Sequence, residues 1–284
     1  MIIKIFQISL AILISLSCTP VMAQYYYQDI ISSKTNHEQY QAFRLQKISR
    51  ILIKSSEADG SPSEGFNMEQ SFNNSYTQLK TTSSLQSGTK SSMVNYYNTS
   101  GYLYKTVDST DEAVTMYEYA YDSMGMPVSI LNTSRAIGDK SKSTEVHIWH
   151  FDPKGRPLSM QRIRDEKDSS EIRFKLDDKG NVIEEQTFKK EIPGEKIYYY
   201  YDDSNRLTDI VRYYDKLGKL LPDYTFDYLP NGQRSEMMTM QKGGADYFTW
   251  KYAYLENGLR AKELCYNKQK KLVGKIEYEY ESRK

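Results

Sequence analysis

The stretch Ile197–Ile210, IYYYYDDSNRLTDI, sets four tyrosines beside two aspartates, a Ser204-Asn205 pair and a short apolar return. The chain has 26 Tyr but only 2 Trp, so whether such rings are scaffold or ligand site governs the reading. The layout recurs. YEYAYDSMGMPVSI begins at Tyr117, HIWHFDPKGRPLSM at His147, IRFKLDDKGNVIEE at Ile172, YTFDYLPNGQRSEM at Tyr224 and WKYAYLENGLRAKE at Trp250. RYYDKLGKLL begins at Arg212, and weaker copies begin at Asn95 and Leu264. The turn position falls on Gly101, Gly125, Gly155, Gly180, Asn205, Gly218, Gly232 and Gly258. Most steps are close to about 25 residues or half of that, the mark of a repeat architecture.

One unit shows the physics. Tyr117, Tyr119 and Tyr121 alternate with Glu118 and Ala120, and period-two alternation predicts a strand with one buried face. Asp122 and Gly125 then frame a turn, Asp bonding the backbone two residues on and Gly accepting a left-handed conformation. The return through Val128 and Ile130 alternates again. Each unit therefore predicts a β-hairpin, and the series an all-β antiparallel meander, a long twisted sheet that can curl. The structural turn residues are Asp122, Gly125, Asp152, Gly155, Asp177, Gly180, Asp202, Gly218, Gly232 and Gly258.

The phase holds between units. Trp149, Phe151, Phe174, Tyr199, Tyr201, Phe226, Trp250 and Tyr252 share one face, while Glu118, His150, Arg173, Lys175, Asp227, Lys251, Glu277 and Glu279 share the other. This is the one-face-wet pattern of antiparallel sheets. Tyr199 and Tyr201 are thereby core. Tyr198 and Tyr200 fall on the polar face, as does Ile148. Exposed rings can anchor a partner or stack on sugars, so these three are the candidate ligand-binding residues, with harmless surface residues as the plain alternative.

Upstream, Asn36–Ile53 has apolar positions at Tyr40, Phe43, Leu45, Ile48, Ile51 and Leu52, which predicts a short N-terminal helix with a strand as the alternative. Residues 54–92 are rich in Ser, Thr, Asn and Gly and read as loop-rich lead-in strands. Residues 24–94 are thus set apart from a repeat domain over 95–284. The first residues, MIIKIFQISLAILISLSCTPVMAQ, have a basic start, an apolar core too short to span a bilayer, and small residues at Val21-Met22-Ala23. They predict a signal peptide over 1–23, cleaved to leave Gln24, and an exported periplasmic or extracellular protein. Lipidation at Cys18 is the alternative, with a poor lipobox before it.

Without Lys4 the basic and acidic side chains are equal in number at 37, which argues against nucleic acid or an anionic membrane as main partner. No later segment is long and apolar enough for a transmembrane helix. After leader removal Cys265 is the only cysteine, so no intrachain disulfide and no Cys-based zinc site is expected. His147 and His150 point to opposite faces of a strand, and the Asp177-Asp178 and Asp202-Asp203 turns lack the alternating ligands of a calcium loop. No metal, no cofactor and no catalytic residue is expected. Paired carboxylates brought together in space stay open.

The units YAYDSMGMPVSI, YYYDDSNRLTDI and YYDKLGKLL resemble the YD repeat of RHS and teneurin-type proteins, in the degenerate form of secreted Gram-negative proteins. The matching residues are Tyr121-Asp122 with Gly125, Tyr201-Asp202 with Arg206-Leu207, and Tyr214-Asp215 with Gly218. The resemblance covers about 95–284 and implies a twisted β scaffold with an extracytoplasmic binding role. The functional expectation is a secreted or envelope-associated scaffold, not an enzyme, that binds a protein or glycan. An envelope assembly component and an extracellular glycan hydrolase are the alternatives.

Overall fold

The hairpins start from one local geometry. In the 122–126 connection the Gly125 N–H donates to Asp122 O (3.1 Å) and the Asp122 N–H to Met126 O (3.0 Å). Asp122 Oδ1 accepts from the N–H groups of Met124 and Met126, both at 2.9 Å. Gly125 holds φ +80°, a region glycine enters without a Cβ clash. The register slips between Ala120 and Tyr121, just before the turn, and such a bulge sharpens the local twist. The same pair of backbone bonds closes 98–102, 152–156, 177–181, 202–206, 229–233 and 255–259. Asn205 takes the glycine place at φ 67°, as Asn can in the left-handed region.

The computed structural model describes residues 25–84, 90–214, 217–241 and 246–284. The expected leader, Cys18, Gln24 and Asp215 lie outside the described residues. Among the described residues one helix, α1 (Gln28–Leu45), precedes eighteen strands. They are β1 (Ile48–Glu57), β2 (Asn67–Phe72), β3 (Gln78–Ser84), β4 (Lys90–Tyr97), β5 (Leu103–Thr110) and β6 (Ala113–Tyr121). Next come β7 (Pro127–Ala136), β8 (Ser143–Phe151), β9 (Pro157–Arg164), β10 (Asp168–Leu176), β11 (Val182–Lys189) and β12 (Ile192–Tyr201). The last six are β13 (Leu207–Tyr214), β14 (Lys219–Tyr228), β15 (Arg234–Met240), β16 (Tyr247–Tyr254), β17 (Arg260–Asn267) and β18 (Leu272–Ser282).

Each strand pairs antiparallel with the next, and β1 pairs with both β2 and β18. The sheet is therefore a closed up-and-down barrel of 18 strands. This corrects the expectation of an open or merely curled sheet. Closure gives the edge amides of β1 and β18 partners and removes the exposed edges an open meander would leave. It also corrects the helix. Ile48–Ile53 is strand, not helix, because Ile51↔Tyr280 and Ile53↔Tyr278 seal the ring. Lys47 at φ 54° separates the two elements.

The inner face holds the aromatic column. Five tyrosines at or near strand ends share a definite task. The hydroxyls of Tyr121, Tyr201, Tyr228, Tyr254 and Tyr280 donate to the carbonyls of Leu103, Val182, Leu207, Arg234 and Arg260, at 2.6–2.9 Å. Each acceptor opens the preceding strand, so the ring ties hairpin to hairpin around the mouth. The outer face carries cross-strand ion pairs, among them Lys54–Glu279, Arg50–Glu69 (2.7 Å), Lys175–Glu184 (2.8 Å) and Lys251–Glu236 (3.2 Å). A bilayer-spanning barrel presents an apolar band there.

Eighteen strands at about 4.8 Å spacing, tilted by roughly 40°, enclose a ring about 35 Å across. At 1.5 Å per residue α1 is about 27 Å long, nearly that diameter. It crosses the mouth at the Asp-turn end. Tyr25, just ahead of it, packs edge-on to Tyr199 (6.3 Å) and Tyr224 (5.7 Å), while Phe43 near its far end meets Phe72 (6.0 Å) and Tyr280 (6.2 Å). Tyr40 and Phe43 are buried, and Lys34 and Glu38 look out to solvent.

Candidate functional sites

The charged groups of the lumen hold α1. Glu185 on β11 is 1% exposed. Its carboxylate accepts the Tyr26 N–H (2.9 and 3.1 Å), the Tyr27 N–H (3.0 Å) and the Tyr199 O–H (2.7 Å). Burial pushes its pKa up against those donors. On the β8 wall, His147 is clamped between two acids. Its Nδ1 lies 2.7 Å from Asp29 of α1 and its Nε2 3.1 Å from Glu145. The Trp149 indole N–H also donates to Asp29 (3.1 Å), and Arg162 Nε donates to Glu145 (2.9 Å). Burial alone would depress the imidazole, but Asp29 and Glu145 outweigh it and raise the pKa to about 9. Burial likewise works against the Glu145 charge, but His147 and the arginines overcome it and hold the carboxyl at about 2. The pair is an imidazolium between carboxylates, a tether for the helix.

Two further inner-wall clusters follow the same rule. Arg212 (3% exposed) binds Asp223 at 2.7 Å and Glu195, and the Tyr214 hydroxyl donates to Asp223 at 2.7 Å. Glu263 accepts from Arg260 (2.8 Å) and from the Tyr278 hydroxyl (2.6 Å). Such buried charges are tolerable because each has its counterpart. Cys265 is buried, and burial pushes its thiol up to about 12, which keeps it from acting as a thiolate. Among the described residues no three His, Cys, Asp or Glu side chains come together as metal ligands.

The four tyrosines of the opening stretch divide by parity. Tyr199 is 2% exposed and Tyr200 49%, while Tyr201 and Tyr198 are half-buried. Tyr198 lies outside, its ring 6.0 Å from the Lys196 ammonium. Ile148, on β8 between Ser129 and Gln161, is also half-buried. β9, β10 and β11 stand between it and β12, which at about 4.8 Å per strand is roughly 19 Å. The structure therefore does not bring Ile148 together with Tyr198 and Tyr200.

Two clefts lie elsewhere. One, of ≈ 560 Å³, opens between the tips of the β14–β15 and β16–β17 hairpins, lined by Asn231, Gln233, Tyr254 and Glu256. The other, of ≈ 470 Å³, opens across β2–β5 at the end away from α1. Thr82, Ser84, Ser92 and Ser109 line it with Lys80, Lys90 and Asp111. Neither lysine forms an ion pair among the described residues, unlike most of the outer wall. The signal for this cleft was the hydroxyl-rich run Thr81-Thr82-Ser83-Ser84 with Ser91-Ser92, legible as composition but not as a surface.

No protein-family model matches the chain, and no curated protein does. Similar solved structures include a porin-like protein from Bacteroides uniformis, 9% identical, covering 83% of this chain and 97% of that one at TM-score 0.46. A porin-like protein from Bacteroides vulgatus, 11% identical, covers 83% and 99% at TM-score 0.31. The TcdB2-TccC3-TEV structure, 11% identical, covers 76% of this chain and 12% of that one at TM-score 0.34. The assignment to the YD-repeat family is corrected: no family model matches the chain, and the meander closes on itself as an 18-stranded ring instead of an open repeat sheet. A tyrosine, an acid and a glycine around a turn specify how two strands reverse, and any antiparallel meander can use that turn whatever its family.

Proposed function

We propose that this chain is an exported, envelope-associated, non-catalytic scaffold that binds an acidic glycan in the β2–β5 cleft. The observation that carries the reading is the cleft's chemistry. Hydroxyls of four outward Ser and Thr residues converge with Lys80 and Lys90, which have no carboxylate of their own among the described residues. Hydroxyls serve sugar hydroxyls, and two ammoniums serve a uronate, sulfate or phosphate. The charged groups of the lumen, by contrast, are occupied in holding α1 and one another. Export rests on the leader-like first residues, and the ion-paired exterior supports a barrel that faces water.

Titration calorimetry of the mature chain against acidic and neutral oligosaccharides tests this. Acidic ligands should bind, and Lys80→Ala or Lys90→Ala should weaken them by about tenfold or more, since a hydrogen bond to a charged group contributes roughly 1.5–3 kcal/mol. Equal affinity for neutral sugars would sink the ligand class. Release of new reducing ends from the bound glycan would sink the non-catalytic reading.

A further inference from the structure

The β8 wall carries a carboxylate site that the chain fills with its own side chain. Asp29, in the first turn of α1, gives one oxygen to two donors. Its Oδ2 lies 2.7 Å from His147 Nδ1 and accepts the Trp149 indole N–H at 3.1 Å. The wall itself positions both donors. The Trp149 ring stacks on Phe151 (6.1 Å) and Phe174 (5.2 Å), in one cluster with the fully buried Met160 and Ile172. His147 is oriented from its other nitrogen by Glu145 at 3.1 Å, and Arg162 and Arg164 hold Glu145 at 2.9 Å each. Two fixed N–H groups aimed at one oxygen, on side chains shielded from water, are suited to bind a carboxylate, because charge-assisted bonds are strong at low dielectric.

The helix start, by contrast, depends on the wall. No side chain of its own caps it, and the Tyr26 and Tyr27 N–H groups are satisfied by Glu185 of β11. The buried residues of α1 are Ser33, Tyr40 and Phe43, all beyond the first turn, while Tyr26 and Ile30 are only partly buried against the Trp149 cluster. The occupant itself shows which chemistry the site takes. A carboxylate-bearing guest would reproduce the Asp29 bonds one for one. What favours Asp29 over such a guest is its attachment to the same chain, which keeps its effective concentration at the site high.

We propose that His147 and Trp149 form a binding site for a small organic carboxylate, and that α1 is its built-in competitor, holding the site closed with Asp29. The site goes beyond the glycan reading and does not depend on it. It is made by inward side chains of β8, whereas the hydroxyl cleft lies on β2–β5. The two therefore separate by mutation.

Urea melts at pH 7 in sodium acetate and in sodium chloride of equal ionic strength test the proposal, using the chain from Gln24 onward. Asp29→Ala removes the competitor. Acetate at ten times its dissociation constant should then multiply the folded-to-unfolded ratio about elevenfold over chloride. The parent should show no such gain, and neither should Asp29→Asn, whose amide fills the same space. Adding His147→Gln to Asp29→Ala should abolish the gain, and adding Lys80→Ala should leave it intact. Should Asp29→Ala fold poorly, acetate in the refolding buffer should raise its folded yield above that in chloride. An Asp29→Ala chain whose melt and refolding yield are the same in both salts overturns the proposal. A gain that survives His147→Gln overturns the site, and a parent that gains as much as Asp29→Ala overturns the competitor.

Discussion

The tether between α1 and the β8 wall should make the barrel lose stability as pH rises. His147 carries a pKa of about 9 in the folded protein against an ordinary 6.5. A folded pKa raised above the unfolded one contributes stability that is fully present below the unfolded value and is lost as pH climbs through the folded value. At 1.36 kcal/mol per unit the gap is worth about 3 kcal/mol at pH 6, of which about 2 kcal/mol should be gone by pH 8.5. The groups facing the ring are Asp29 from α1, Glu145 on its own strand with Arg162 and Arg164 behind it, and the Tyr26 ring. Tyr26 is pushed up to about 12 by burial, and Cys265 also to about 12, so neither titrates in the folded state below pH 8.5. The assay is urea unfolding followed by tyrosine and tryptophan fluorescence at several pH values from 6 to 8.5. The midpoint should fall across that range in the parent. His147→Gln should start lower and stay nearly flat. A flat parent profile, or a His147→Gln profile with the parent's slope, would refute the tether.

Three further outcomes follow from the same geometry. Tyr199→Ala should cost about 3–5 kcal/mol by emptying a buried column, and Tyr199→Phe about 1–3 kcal/mol by leaving Glu185 short of a donor, whereas Tyr200→Ala should leave the thermal melt nearly unchanged. Gly125 and Gly232 share a left-handed φ, +80° and +87°, but a Cβ on Gly125 would lie 2.1 Å from the Tyr102 hydroxyl while one on Gly232 would meet nothing within 4 Å. Gly125→Ala should therefore destabilise clearly more than Gly232→Ala, which should show only the roughly 1–2 kcal/mol of left-handed strain, in parallel chemical melts. Mass spectrometry of the exported chain should find Gln24 first, and a diacylated Cys18 would instead make it a lipoprotein.

Local features were legible because their causes are local. Period-two alternation in YEYAY and WKYAY assigns the inner and outer faces, since adjacent side chains on a strand must point opposite ways. Asp at the start and Gly at the fourth place of a turn assign the reversals, since few residues reach a left-handed φ cheaply. The outer ion pairs follow from the same phase. Ile48–Ile53 was ambiguous for the opposite reason. Its apolar spacing suits both periods, and the choice falls to β18, some 230 residues away in the chain. The stretch 54–92 looked loop-rich because Ser and Thr carry little apolar signal, yet its buried members find partners in the wall, as in Ser83–Ser91 at 2.7 Å and Ser55–Ser63 at 2.9 Å.

Read alone, the amino-acid sequence determines that residues 95–284 are a meander of hairpins, which face of those strands is wet, and where the Asp- and Gly-marked turns fall. Whether that meander ends with two open edges or with none was decided in the tertiary structure. Closure depends on the summed twist and bulges of eighteen strands bringing β1 to β18, and no single repeat contains that sum. The partnering of Glu185, Asp29 and His147 was decided there as well. They are remote in sequence, and only a ring that encloses α1 sets a helix residue against acids and imidazole on its walls, where low dielectric makes such contacts costly to leave unmade.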